Sequence, residues 1–276
     1  MDFSIPEAIH SLRPIFVLAP SARNGITLMQ RLLNSTRKII VYGEDGYFMQ
    51  YIPDAISSSF ADLQKFEETN RMVREVFLKQ TTEFWTSNLQ VDGIHYLQVR
   101  LNHLFDIALY YQQFSESCGF DRWGIKQPLA NPVPFELLLQ LFRNAQIIFL
   151  YRNLFDVARS AKARKWMNSR DDCINLANQW QQNLVPILGA NFDRTLILRY
   201  ESFIADPDPH IDRIEKFTGL EGIDRTVMSL KINTFAGEKE GESLNMYVPP
   251  AELKKKKKSL LEQHAAKALE LIARSN

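Results

Sequence analysis

Cysteine is almost missing from this chain: its 276 residues include Cys118 and Cys173 and no others. Two thiols without a C-x-x-C spacing make neither a disulfide framework nor a cysteine metal site, and they point to reduced thiols in a cytoplasm. Histidine is scarce as well, with five residues that show no ligand spacing, so no metal is expected. Charge of one sign is not in excess. A net charge of +1 gives no bulk attraction to nucleic acid or to a membrane surface, so any anion must be held by a local cluster. No stretch approaches the ~20 apolar residues that span a bilayer. The opening MDFSIPEAIHSLRP carries acids early and no continuous apolar region, so neither an export signal nor an anchor is expected. The last absence is a motif. G-x-x-x-x-G-K-[ST], which sets a lysine on the phosphates of a nucleoside triphosphate and a hydroxyl on magnesium, does not occur, and this disfavours an ordinary ATPase or GTPase.

What the chain does have is apolar substance in alternating blocks. With 45% hydrophobic and 24% charged residues it can bury a large core, and one domain spanning 1–276 is expected. Apolar runs place parallel strands near 14–19, 39–43, 122–126, 146–151 and 195–200. Between them runs helical periodicity, as in Ile174, Ala177, Trp180 and Leu184, which share one helix face. The fold class is therefore α/β, a central parallel sheet with helices on both faces in three layers. From about 47 to 120 the pattern changes. Aromatics such as Phe48, Tyr51, Phe60, Phe84, Trp85, Tyr96, Phe105, Tyr111 and Phe114 lie on helix-like segments without a convincing strand. This reads as a helical insertion over the carboxyl edge of the sheet, where open α/β sheets bind ligands, and it is the expected substrate pocket.

Two places look built for anions. Arg152 closes the very apolar segment Ala145 to Tyr151, and Ser160 lies on the helix that follows, so a planar guanidinium fork and a small hydroxyl can reach one phosphate. Near the N-terminus, an apolar strand, the turn Pro20 to Gly25 (PSARNG) and an amphipathic helix from Ile26 aim backbone N–H groups and a helix dipole at one point.

These residues resemble a family. Arg23 to Leu28 (RNGITL) is similar to the R-S-G-T-T-L loop of sulfotransferases that use 3′-phosphoadenosine 5′-phosphosulfate (PAPS), and Gly43-Glu44 to their G-E element. Trp123 to Pro128 (WGIKQP) resembles W-G-x-K-T-P, Ile148 to Ser160 resembles I-x-L-x-R-D-P-x-D-V-x-x-S, and Leu198 to Leu220 the R-Y-E-D-L segment. The likeness is strongest to tyrosylprotein and bacterial small-molecule sulfotransferases. It implies a P-loop-type fold in which Arg23, Asn24, Gly25, Ile26 and Thr27 cradle the 5′-phosphosulfate while Arg152 and Ser160 hold the 3′-phosphate. Arg164, one turn after Ser160, adds charge there, and Tyr200 reaches the nucleotide. Glu44 is the implied general base, and Lys126 with Arg23 stabilises the transferring sulfonate. His95 or His103 stands in as base if Glu44 does not serve.

The departures matter. Ile26 stands where the family has Thr or Ser, Asn24 replaces Ser, Gln127 replaces Thr, and Asn153-Leu154 replaces Asp-Pro. They leave open a catalytically silent PAPS-binding protein beside the active enzyme, and a P-loop kinase is a third reading. The lysine run Lys254 to Lys258 reads as a solvated face before a terminal helix, Ser259 to Arg274. The stretch from about 235 is the implied lid: Gly237 to Gly241 would close over the site, Ser243, Tyr247 or one of the lysines of the run would touch the 3′-phosphate, and Pro249-Pro250 would fix the exit. The acceptor is expected to be a small metabolite that takes the sulfonate on a hydroxyl or on an amine or carbamoyl nitrogen. Natural products, including guanidinium alkaloids of the saxitoxin type, are candidates, and Asp45, Asp92 and Asp106 would attract a cation. A monomer or homodimer is expected, with no nucleic acid and no membrane.

Overall fold

The structure, a computed structural model, describes residues 4–79, 93–230 and 252–275. Five strands form one parallel sheet: β1 (Ile15–Ala19), β2 (Ile39–Tyr42), β3 (Arg122–Pro128), β4 (Gln146–Tyr151) and β5 (Thr195–Arg199), in the order β2-β3-β1-β4-β5. All five lie within a residue or two of the apolar runs. Both faces of the central strands are buried, so alternate residues join opposite cores: Phe16 and Leu18 of β1 on one side, Ile15, Val17 and Ala19 on the other. In β3, Gly124 has a packing reason. A Cβ there would sit 2.2 Å from the Ile15 carbonyl oxygen of β1.

Helices cover both faces. On one lie α1 (Glu7–Ser11), the insertion helices α3 (Ile52–Leu78) and α4 (Gly93–Ser117), α5 (Val133–Leu141), α6 (Leu154–Ala163) and α7 (Arg170–Gly189). On the other lie α2 (Ile26–Ser35), α8 (Tyr200–Ala205) and α9 (Pro207–Thr218). The described parts of the insertion, 47–79 and 93–120, are largely helical, opening with a π-helical turn over Tyr47–Tyr51. Phe84, Trp85, Asp92, Gly237 to Gly241, Ser243, Tyr247 and Pro249-Pro250 lie outside the described residues.

The C-terminus differs from its sequence reading. It begins earlier and is two helices, α10 (Lys255–His264) and α11 (Ala266–Ser275), broken at Ala265. The break is compensated by α7: the Gln181 side chain accepts the Ala268 N–H of α11's first turn at 3.2 Å, which fills the role of a cap from 87 residues away. Among the described residues no helix is long and apolar enough to cross a membrane.

Candidate active site

The strand order makes β1 a switch point, with the chain turning to β2 and β3 on one side and β4 and β5 on the other, so loops leaving the carboxyl edge diverge around a crevice. The loop after β1 is shaped by two left-handed residues, Arg23 (φ 70°) and Gly25 (φ 94°). At Gly25 a Cβ would also lie 2.4 Å from the Tyr200 ring, so glycine is demanded by backbone and by space. Gly25 is the N-cap of α2, and its carbonyl accepts the Leu28 N–H at 3.0 Å, which leaves the Ile26 and Thr27 amides as the ones that an α-helix does not satisfy internally.

Asn24 is fully buried and turned inward. Its amide donates to the Ser21 carbonyl (2.8 Å) and hydroxyl (3.0 Å), and its carbonyl oxygen accepts the Arg152 N–H at 2.8 Å. One side chain thus ties the loop after β1 to the loop after β4, and Asn24 can offer a ligand only its backbone. The Arg23 Nε donates to the Ser160 hydroxyl at 2.9 Å, and its guanidinium lies 5.7 Å from the centre of the Trp166 ring. The two anion sites read from separate loops therefore meet through Arg23. The Arg152 guanidinium stacks on the Tyr200 ring at 4.8 Å, with its Nε buried and without a hydrogen-bond partner. Arg164 is half-buried at the C-cap of α6. The Asn153 departure is harmless to α6, since its side chain accepts the Phe155 N–H at 2.9 Å as the N-cap.

Across the crevice, Lys126 near the end of β3 donates to Glu44, after β2, at 2.9 Å. Lys126 is 12% exposed and Glu44 54%, so the cation is held by the fold and the carboxylate is accessible. Glu44 rides on a turn that Asp45 anchors. One Asp45 oxygen accepts the Tyr47 and Phe48 N–H groups at 3.0 and 3.1 Å, and the other accepts the Tyr111 hydroxyl at 2.7 Å. Asp45 is thereby committed to the turn and does not stand free to attract a cation. A cavity of about 130 Å³ is lined by Arg23, Gly25, Ile26, Thr27, Glu44, Lys126 and Trp166. It gathers one of the two expected phosphate loops and both candidate catalytic groups. Arg152, Ser160, Arg164 and Tyr200 do not line it.

A sequence model of the sulfotransferase family matches residues 14–224, most of the chain. The chain belongs to the sulfotransferase family. It is therefore a sulfotransferase enzyme, of a family that generally uses PAPS. Its fold is similar to that of the sulfotransferase domain of the olefin synthase of Synechococcus PCC 7002 (18% identity, 96% of this chain and 98% of that one, TM-score 0.50). It is also similar to a sulfotransferase from Alicyclobacillus acidocaldarius (15% identity, 95% of each chain, TM-score 0.48). No curated protein matches it in sequence.

The sulfotransferase has a second, larger cavity of about 280 Å³ that shares Ala22, Arg23, Pro128 and Trp166 with the first. Its other walls are Ala161 of α6, Met167, and Asp172, Asn175, Leu176 and Gln179 of α7. Among the described residues, the lining of these two cavities comes from the loop after β1 and the first turn of α2, from the end of β3, from α6 and the loop that follows it, and from α7, with Glu44 after β2 completing the smaller one. His103 hydrogen-bonds the Tyr47 hydroxyl at 3.1 Å, His95 is exposed on α4, and neither histidine lines a described cavity.

Several wall residues were silent in the sequence. Trp166 follows α6 with no periodic signal. The Gln179 and Asn183 amides of α7 both donate to the Leu129 carbonyl at 2.8 Å, and Asn183 also donates to Pro20 at 2.9 Å. Together they hold the ends of β1 and β3 at fixed separation. Asp172 closes a capping box with Ser169, and the N–H groups of Ser169 and Asn168 hold its carboxyl below the usual range. The lysine run is only partly a solvated face. Lys257 donates to the Met167 carbonyl at 3.1 Å and so pins the loop that carries Trp166, while Lys258 pairs with Glu252 at 3.0 Å. Among the described residues no cluster of His, Cys, Asp and Glu is arranged to hold a metal.

Proposed function

We propose that the chain, acting as one catalytic unit in the cytoplasm, transfers a sulfonate group from PAPS to a hydroxyl or to an amine or carbamoyl nitrogen of a small molecule. The observation that carries this reading is the 2.9 Å contact of Glu44 and Lys126 inside a cavity that also takes in the first turn of α2. Two free cysteines, one exposed and one buried, support a reducing compartment.

The residues fit PAPS. A buried guanidinium nitrogen without a partner at Arg152 suits an anion, as do the first-turn amides of α2 and the sheltered Lys126 ammonium. Arg23, Gly25, Ile26 and Thr27, together with the Asn24 backbone, would hold the phosphosulfate end. Arg152 and Ser160 would hold the 3′-phosphate, with Arg164 and Tyr200 beside them. When bound, the donor supplies a sulfonate whose sulfur bonds to the acceptor oxygen or nitrogen as its bond to the 5′-phosphate oxygen breaks, leaving 3′-phosphoadenosine 5′-phosphate (PAP). Glu44 takes the proton from the acceptor, and its exposure leaves room for one. Lys126 and Arg23 offset the negative charge that develops on the peripheral and leaving oxygens.

The larger cavity is the proposed acceptor chamber. It shares the Arg23 and Trp166 wall with the smaller one, and offers an indole face, apolar groups at Met167 and Leu176, and polar groups at Asp172, Asn175 and Gln179. Asp172 is the carboxylate in that lining, which keeps guanidinium alkaloids of the saxitoxin type among the acceptors to try beside hydroxylated natural products. Calorimetry with PAP and a radiolabelled PAPS transfer assay over such a panel test the reading. Glu44→Gln should keep PAP affinity and lose transfer. A parent chain that ignores both PAP and PAPS at millimolar concentration refutes it.

A further inference from the structure

The base turn is connected to the rest of the molecule through an aromatic residue of the insertion. Tyr111 of α4 donates its hydroxyl to Asp45, the residue after Glu44, at 2.7 Å. Its ring stacks on Trp123 with centroids 5.0 Å apart and planes 12° from parallel. Trp123 lies on β3 three residues before Lys126. Tyr111 thus touches both the turn that carries Glu44 and the strand that carries Lys126. The neighbouring contacts reinforce this position. Tyr42, at the end of β2, packs against the Tyr111 ring at 5.0 Å and hydrogen-bonds Ser115 of α4 at 2.9 Å. Phe48, whose N–H Asp45 accepts, meets both Tyr111 and Trp123 edge-on at 5.9 Å.

We propose, resting on the catalytic reading of Glu44 and Lys126, that Tyr111 and Asp45 are positioning residues that set the Glu44–Lys126 separation, so that the insertion braces the base turn through α4. The geometry gives each part a task. Asp45 accepts three hydrogen bonds, two from the turn and one from α4, so the turn cannot rotate without breaking them. The Tyr111 ring supplies the fixed spacing to β3, because a stacked pair between buried elements resists sliding. Burial and the Asp45 carboxylate beside it raise the Tyr111 pKa, so the hydroxyl remains the donor across the working pH range. Neither residue is in the lining of the two described cavities, which sets them behind Glu44 rather than beside it.

Tyr111→Phe keeps the ring and removes the hydrogen bond. The expected result is PAPS turnover slower by about 10- to 100-fold, the cost of a misplaced catalytic group, with the KM for PAPS and the affinity for PAP unchanged. Asp45→Asn, which keeps an acceptor for the turn amides, should show the same split. Added to Glu44→Gln, Tyr111→Phe should cause no further loss, since its effect passes through Glu44. Turnover unchanged in Tyr111→Phe, or an equal loss in the Glu44→Gln background, overturns the proposal. Crystal structures of the parent and Tyr111→Phe with PAP give a readout that needs no acceptor. The Glu44–Lys126 contact should persist in the first and be broken or split between conformers in the second, and its persistence in both overturns the brace. A parent that consumes no PAPS overturns the catalytic reading instead, and the two crystal structures then decide the brace alone.

Discussion

Two corners of the carboxyl edge hold the candidate chemistry, and they are fastened differently. After β1, the residue beside Arg23 is Asn24, fully buried and bonded to its own loop and to the β4–α6 corner. After β2, the residue beside Glu44 is Asp45, half-buried and bonded to its own turn and to α4 of the insertion. In both, a short polar side chain faces inward so that its neighbour can face the crevice. The phosphate corner is tied directly to a neighbouring loop of the sheet, and the base corner reaches β3 only through a helix of the insertion. The first should therefore be coupled to global stability, and the second to rate.

If both corners serve one reaction, a large effect, second only to the loss of the Glu44 carboxylate, should come from the group they both face. Lys126→Ala should lower PAPS turnover by about 10²- to 10³-fold, the range for removing one preorganised donor from developing charge, while PAP binding stays near the parent's. A steady-state assay paired with calorimetry checks this. A modest drop would mean that Arg23 carries the sulfonate alone.

Breaking the anchors themselves sharpens the contrast. Asn24→Ala strands the buried Ser21 carbonyl and Arg152 N–H, at a cost of about 3 kcal/mol, and should lower the melting temperature by roughly 6–12 °C. Asp45→Ala loses a cap on a partly exposed turn, worth about 1 kcal/mol, and should melt only slightly lower while losing rate. Thermal unfolding of the two variants side by side settles the order, and a base corner as costly to break as the phosphate corner would remove the distinction.

The same contrast explains what the sequence made legible. Strand positions follow from apolar runs, and the motifs name Arg23, Glu44, Lys126, Arg152 and Ser160 as candidates before the fold; the structure adds that Arg23, Glu44 and Lys126 share one cavity. The meeting of Glu44 with Lys126 follows from β2 and β3 being neighbours in the sheet. Side-chain direction inside an irregular loop has no period. Asn24 therefore read as a ligand where the structure uses it as an internal tie. The wall residues Trp166 and Gln179, and Lys257 behind them, were hidden for another reason: they act through partners on other elements, such as Leu129 for Gln179 and Met167 for Lys257, and nothing local signals the pairing. In the insertion, Phe48 and Phe105 are core residues, and their residue types alone do not distinguish that burial from the lining of a pocket.

The smallest expected effect is a pH dependence that tests whether the Tyr111–Asp45 bond is as tight in solution. Burial first, then the Asp45 hydrogen bond and charge, raise the Tyr111 pKa above the ordinary tyrosine value. A group with a raised folded pKa contributes stability that is fully present below its unfolded pKa, near ~10 for tyrosine, and lost as pH rises above it, because the unfolded chain gives up its proton first. The parent's unfolding free energy should thus fall more steeply above pH ~10 than that of Tyr111→Phe. Tyr151, whose pKa burial also raises, remains in both chains and cancels in the difference. The slope difference is bounded by about 1.4 kcal/mol per pH unit, the limit for one proton, and partial exposure of the ring reduces it. Urea titrations from pH 9 to 11 measure it. Parallel curves would mean that the hydroxyl is solvated rather than held, and the base corner would then owe its position to the Asp45–amide bonds alone.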